Sequence, residues 1–336
     1  MRINERRSFL QKLFSFAGLA FLGCKIKNEN NERKSAIYTR SKSKVVICSD
    51  NKLRDSNNEI IEERLNILID KAFNSYFNNQ TKEILGAKIN KNTRVSIKVN
   101  CLAGKGLSTE KKLAYFIAEK LINEFGLEKN SIIIWDRLSD DLERAGYEIN
   151  TGKGIKCFGN DYVGYTDDVY FFGEAGSLLS KIVTEYSDVI INIPVLKDHG
   201  IVGLSGCLKN MFGAIHNPNK YHINVGDPYV ADVYSISEIK SKVILHVCDA
   251  TKLQYEGGPP FIPKYCENFN SIIISEDPVA IDYYLLKLIE EKRRVNSLKS
   301  LKEVGRYPHY IFTAADSDHN LGFASDDKIN FVKVDL

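Results

Sequence analysis

The 336-residue chain sets 46 Lys and Arg against 43 Asp and Glu, a formal net charge of +3, with 43% hydrophobic residues. That balance excludes a broadly basic nucleic-acid-binding surface, and no Lys/Arg cluster interleaved with aromatics occurs. Beyond the N-terminal segment, roughly 290 residues are enough for one large core without a second domain.

Arg6 and Arg7 are followed by Ser8, Phe9 and Leu10, then by an apolar run from Leu13 to Gly23 that ends at Cys24. This pattern resembles a twin-arginine export signal with a lipoprotein cleavage site, and the run is too short for a permanent spanning helix. Phe21 and Leu22 are bulkier than a standard lipobox prefers, and Glu5 stands where Ser or Thr is usual; an uncleaved hydrophobic anchor is the alternative. Acylation at Cys24, a membrane partner through that lipid, passage through the twin-arginine machinery and an envelope location are the expectations. The resemblance to such signals implies a passenger exported folded, often with its cofactor inserted. Loss of residues 1–23 leaves 42 basic and 42 acidic side chains. Residues 24–43 are polar and non-periodic and read as a tether.

Six apolar runs then read as strands: 44–49, 94–100, 131–136, 189–196, 242–249 and 271–276. Their continuous Val and Ile content fits strands covered on both faces. Helical spacing marks 60–77, 109–125, 175–187 and 279–294, with Ser108 as N-cap of the second and Asp277 and Pro278 opening the fourth. The alternation predicts an α/β fold: a mostly parallel central sheet with helices on both faces, in a single large domain over 44–336. Cys48, Cys101 and Cys248 read as small buried hydrophobes, with a disulfide among them or between Cys157 and Cys266 as the alternative.

Ligands of α/β proteins bind beyond the carboxyl ends of strands, and several apolar runs here end in polar residues: Asn100, Asp136 with Arg137, Lys197 to His199, Asp249, and Glu276 with Asp277. Lys197, Asp198 and His199 supply an ammonium, a carboxylate and an imidazole. The segment 203–213 reads as a helix opened by glycines, with Gly203 and Ser205 suited to an anion and Lys209 and Asn210 facing the site; no P-loop spacing is present. Gly104 lies in a second Gly-rich turn, and Gly257 and Gly258 in a third that allows close approach to the backbone. Lys98, inside an apolar strand, needs a partner or a shifted pKa unless it snorkels to water. His199, His222 and Asp249 form a mixed nitrogen and oxygen set suited to a divalent metal. A solvated turn, surface histidines and a helix-terminal lysine are the plainer alternatives.

The segments 97–109, 132–137, 191–200, 203–218, 257–259 and 275–282 resemble, in order, the DUF362 family of domains of unknown function. Some relatives carry a ferredoxin-type iron–sulfur module, whose closely spaced cysteines this chain lacks. The expectation is an envelope lipoprotein whose α/β domain is a metal- or anionic-cofactor-dependent enzyme, redox or otherwise, acting on a small anionic ligand. A non-catalytic anion-binding lipoprotein and an accessory protein of an exported redox complex are the alternatives.

Overall fold

The computed structural model describes residues 41–336. Arg6, Arg7, Cys24, the signal segment and most of the tether lie outside the described residues. The strands are β1 (Ser43–Ser49), β2 (Val95–Lys98), β3 (Ile132–Trp135), β4 (Lys156–Cys157), β5 (Tyr165–Phe172), β6 (Ala175–Ser180), β7 (Val189–Asn192), β8 (Val195–His199), β9 (Gly203–Ser205), β10 (Val243–Gln254), β11 (Cys266–Ser275) and β12 (Ile329–Asp335). Five helices carry the argument: α1 (Glu62–Phe77), α2 (Lys111–Phe125), α3 (Cys207–Asn210), α4 (Tyr229–Ser235) and α5 (Pro278–Val295).

The main sheet runs β12-β1-β11-β10-β7-β2-β3-β4, with β8 beside β10 and β9 beside β8. Contacts of β2 with β3 and β7, of β10 with β7 and β8, of β3 with β4 and of β1 with β12 are parallel; β11 runs antiparallel to both β1 and β10. The mostly parallel sheet expected from the Val/Ile runs is therefore present, in a single domain.

Strand alternation divides the core. Val95, Ile97, Ile132, Ile134 and Ile191 pack on one face with α1 and α2, while Ile133, Trp135 and Ile190 pack on the other with α3, α4 and α5. In α1 the buried Leu65, Leu68, Ile69, Ala72, Phe73 and Tyr76 recur every three or four residues. In α2, Leu113, Ala114, Ile117, Ala118 and Leu121 do the same until Gly126, at φ 69°, closes the helix by donating its N–H to Ile122. The N-cap of α2 is Glu110, whose carboxylate accepts from the Lys112 N–H; Ser108 instead donates to the Gly104 carbonyl.

Two expected elements are corrected. Residues 175–187 are not one helix, because 175–180 pair with β5 in an antiparallel hairpin and leave only Lys181–Thr184 helical. Gly203 to Ser205 form β9 against β8, so the helix expected over 203–213 begins only at Cys207. The run 189–196 is split, since Pro194 has no N–H to give the ladder and β8 resumes on the same neighbour, β10. The six described cysteines are free thiols, five of them buried. No helix among the described residues is long and apolar enough to cross a membrane.

Candidate functional site

Lys98, Trp135 and Asn192 occupy one register row at the carboxyl ends of β2, β3 and β7. Period-2 alternation sends Val95 and Ile97 into the α1/α2 core and turns Lys98 to the other face, where it is 1% exposed. Its three ammonium donors go to Asp136 Oδ1 at 2.7 Å, the Val99 carbonyl at 2.6 Å and Asn210 Oδ1 at 3.3 Å. The ammonium also lies 5.4 Å from the Trp135 ring centroid. Asp136 is held in turn by the N–H groups of Cys101 and Arg137. Gly213 makes room, because a Cβ there would stand 2.6 Å from Lys98 Cε.

An amide chain extends from this pair. Asn210 Oδ1 also accepts from Asn100 Nδ2 at 3.0 Å, and Asn210 Nδ2 donates to Asn192 Oδ1 at 2.7 Å. Asn192 Nδ2 reaches the Cys207 carbonyl and His246 Nδ1, and His246 Nε2 meets the Tyr234 hydroxyl. Burial holds His246 neutral, its pKa lowered to about 3; with Nδ1 accepting from an amide, the ring proton sits on Nε2.

Lys197 Nζ donates to Asn100 Oδ1 at 2.8 Å and, among the described residues, has no carboxylate partner within ion-pair distance. Burial, resisted chiefly by Asp136, lowers its pKa to about 8. Lys209 projects from α3 with its ammonium 4.0 Å from the Phe212 centroid. Among the described residues it has no hydrogen-bond acceptor and no ion-pair partner. Its side chain keeps partial access to solvent, yet it lies deep enough that burial, then the charges of Lys98, Arg137 and Lys197, lower its pKa to about 7.

The His199 ring stacks on His222 with centroids 5.2 Å apart. His199 Nδ1 accepts from the N–H groups of Ile201 and Val202, which leaves the proton on Nε2. Burial, then Lys209, brings its pKa down to about 2. His222 Nδ1 donates to the Asn219 carbonyl, and burial lowers its pKa as well. The pair is therefore neutral at pH 7, with one Nε2–H donor and one free Nε2 lone pair.

Other expected residues do not join this cluster. Asp198 receives the Gly258 N–H and an Arg306 ion pair at 3.0 Å, and Arg306 continues to Glu256. Asp249 accepts from the Glu110 N–H and from both donors of Thr251, and lines a separate cleft of about 360 Å³, away from Lys98, Lys197 and Lys209, with Arg54, Lys105, Ser108, Glu110 and Lys252. His199, His222 and Asp249 are accordingly not gathered as a ligand set, and no group of three or more His, Cys, Asp or Glu able to hold a metal occurs among the described residues. The glycines serve close packing: Gly203, at φ 80°, abuts the Arg306 carbonyl, Gly257, at φ 84°, faces Ile262, and Gly258 abuts the Asp198 carbonyl. Gly104, at φ 66°, turns the 104–106 loop, and Ser205 stands opposite Lys197 in the β8/β9 ladder. Glu276 and Asp277 end a strand antiparallel to its neighbours and lie at the opposite sheet edge, where Asp277 caps α5 and accepts from Ser43.

Asn192, Arg306 and Glu256 were not among the residues expected at a site. Asn192 sits inside the apolar run 189–196, which did not single it out; nothing in the sequence ties Arg306 or Glu256 to Asp198, since only the fold brings them together.

The fold and this cluster define an α/β protein with a cationic, amide-lined centre at the carboxyl edge of its sheet. The chain belongs to the DUF362 family, described as a domain of unknown function, whose match spans residues 95–287 and so takes in Lys98, Lys197, His199 and Lys209. No curated protein matches it. A crystal structure of a Thermotoga maritima protein, a Northeast Structural Genomics Consortium target, is similar at a TM-score of 0.37 and 13% identity; the match covers 71% of this chain and 59% of that one.

Proposed function

We propose that the protein is an envelope-anchored enzyme that binds a small anionic substrate or cofactor at the carboxyl edge of the sheet. The observation that carries this reading is a charge imbalance. Lys98, Arg137 and Lys197 all lie close enough to lower the pKa of Lys209, yet among the described residues only Lys98 of these four has a carboxylate partner, Asp136. A buried cation without a counter-ion is costly, and an incoming carboxylate or phosphate relieves that cost. Lys209, its pKa lowered to about 7, supplies a group that exchanges a proton near pH 7, beside the neutral His199/His222 pair.

Inorganic phosphate and acetate should raise the thermal midpoint of the purified protein saturably, as expected for a ligand of the folded state. Lys197→Met should abolish the gain. An unchanged midpoint at saturating anion in the wild type would remove the anion site. The export half of the proposal rests on Arg6, Arg7 and Cys24: radiolabelled palmitate should be incorporated by the wild type and not by Cys24→Ser, and an unlabelled wild type refutes the lipid anchor.

A further inference from the structure

We propose that Lys209 is a nucleophilic amine that forms an imine with the carbonyl of a small 2-oxo acid. The inference rests on the anionic reading of the site and assigns its substrate class.

Three observations set Lys209 apart from the other two lysines of the centre. Lys98 has all three donors placed, on Asp136, Val99 and Asn210. Lys197 is 1% exposed and tied to Asn100. Lys209 alone combines partial exposure with the absence, among the described residues, of any hydrogen-bond acceptor; the Phe212 ring 4.0 Å from its nitrogen favours the charged form and is outweighed by burial and the neighbouring cations. An amine that attacks must lose its proton, and both desolvation and adjacent cations promote that loss. Lys98, Arg137 and Lys197 are those cations. The carboxylates in the surroundings are engaged elsewhere, Asp136 with Lys98 and Asp198 with Arg306.

The same cations select the electrophile. A carbonyl carbon bearing a carboxylate brings a negative charge to Lys197 and Arg137 while its carbonyl lies toward the Lys209 amine. A neutral aldehyde or ketone gains nothing from them.

The step balances as follows. The Lys209 lone pair forms the C–N bond, the carbonyl π pair moves to oxygen, and a proton passes from nitrogen to that oxygen. The C–O bond then breaks, the hydroxyl leaves as water with one further proton from solvent, and a protonated imine remains. Solvent, to which Lys209 is partly open, carries these proton transfers. No oxidant or metal enters the balance.

Imine trapping tests this on the purified full-length protein. Glyoxylate, pyruvate and 2-oxoglutarate are each incubated with it near pH 7 in the presence of borohydride, and the digest is mapped by mass spectrometry. The expected result is an adduct on the Lys209 peptide, weighing one oxo acid less one oxygen atom, in excess of any other lysine. Lys209→Met, which removes the amine without leaving a buried cation, should still melt cooperatively and lose the adduct; Lys209→Gln serves if the methionine variant is unstable. A thermal shift by the oxo acids without an adduct on Lys209 overturns the imine and leaves the anion site standing. Neither shift nor adduct overturns both.

Discussion

Asp136 is the residue on which the cationic centre balances. It supplies the one carboxylate to Lys98 and accepts the N–H groups of Cys101 and Arg137. Removing one member of a buried pair costs more than the pair itself stabilises, because the remaining charge is stranded away from water. Asp136→Asn should therefore lower unfolding stability by roughly 3–5 kcal/mol, and Lys98→Met combined with Asp136→Asn should recover part of that loss. Urea unfolding of the three proteins decides it; a single variant within about 0.5 kcal/mol of wild type would mean the pair is solvated after all. Lys98 was legible in the sequence, since a lysine inside a strand of Val and Ile has few explanations. Asn192 was not distinguished, because an asparagine at a strand end is an ordinary stop signal until the neighbouring strands place it beside His246 and Asn210.

Elements covered on both faces were readable because burial leaves a long apolar signature. The six central runs and the helices α1, α2 and α5 follow that rule. The β5/β6 hairpin escaped it: Leu178, Leu179, Ile182 and Val183 satisfy helical spacing equally well, and pairing with Tyr165–Phe172 decides the matter. Strand direction was invisible for the same kind of reason. The run ending at Glu276 looks like the others, yet it runs antiparallel and carries Asp277 away from the lysines. The short helix α3 shows how a distant element completes the site. Asp282 of α5 accepts the N–H groups of Cys207 and Leu208 at 2.5 and 3.0 Å, with Gly206 close against its carboxylate. A carboxyl group that accepts N–H groups at a helix start does what an N-cap does, here from 75 residues away in sequence. Lys209 and Asn210 are thus aimed by a helix on the other side of a core no local pattern reveals.

At the scale of the whole molecule, these buried groups give stability a pH dependence whose sign changes by window. His199 and His246 are held neutral in the fold, with pKa values lowered to about 2 and about 3, so protonation of the unfolded chain destabilises the protein as pH falls below about 6.5. Asp277 and Asp282 act the opposite way: burial raises them to about 6 and about 7, so the folded state holds protons that the unfolded chain has released, and stability falls as pH rises toward 7. The two trends oppose each other between about pH 4 and 6.5. Above pH 7 both are spent, and the lysines remain. Lys209 and Lys197 are lowered to about 7 and about 8 from an ordinary value of 10.5, so the unfolded chain binds more protons than the folded one and stability must rise with pH. Cys48, Cys101, Cys157, Cys207, Cys248 and Cys266, all raised above 9.0, reverse the slope once unfolded thiols ionise. Between pH 7.5 and 8.5, before that reversal, the wild type should therefore gain stability at roughly 1 kcal/mol per pH unit. Lys209→Met should remove the larger part of that slope, measured by urea unfolding at each pH. A wild-type stability that is flat or falling across this window would mean that both lysines stay fully protonated in the fold, which would remove the free amine at Lys209 that imine formation at neutral pH requires.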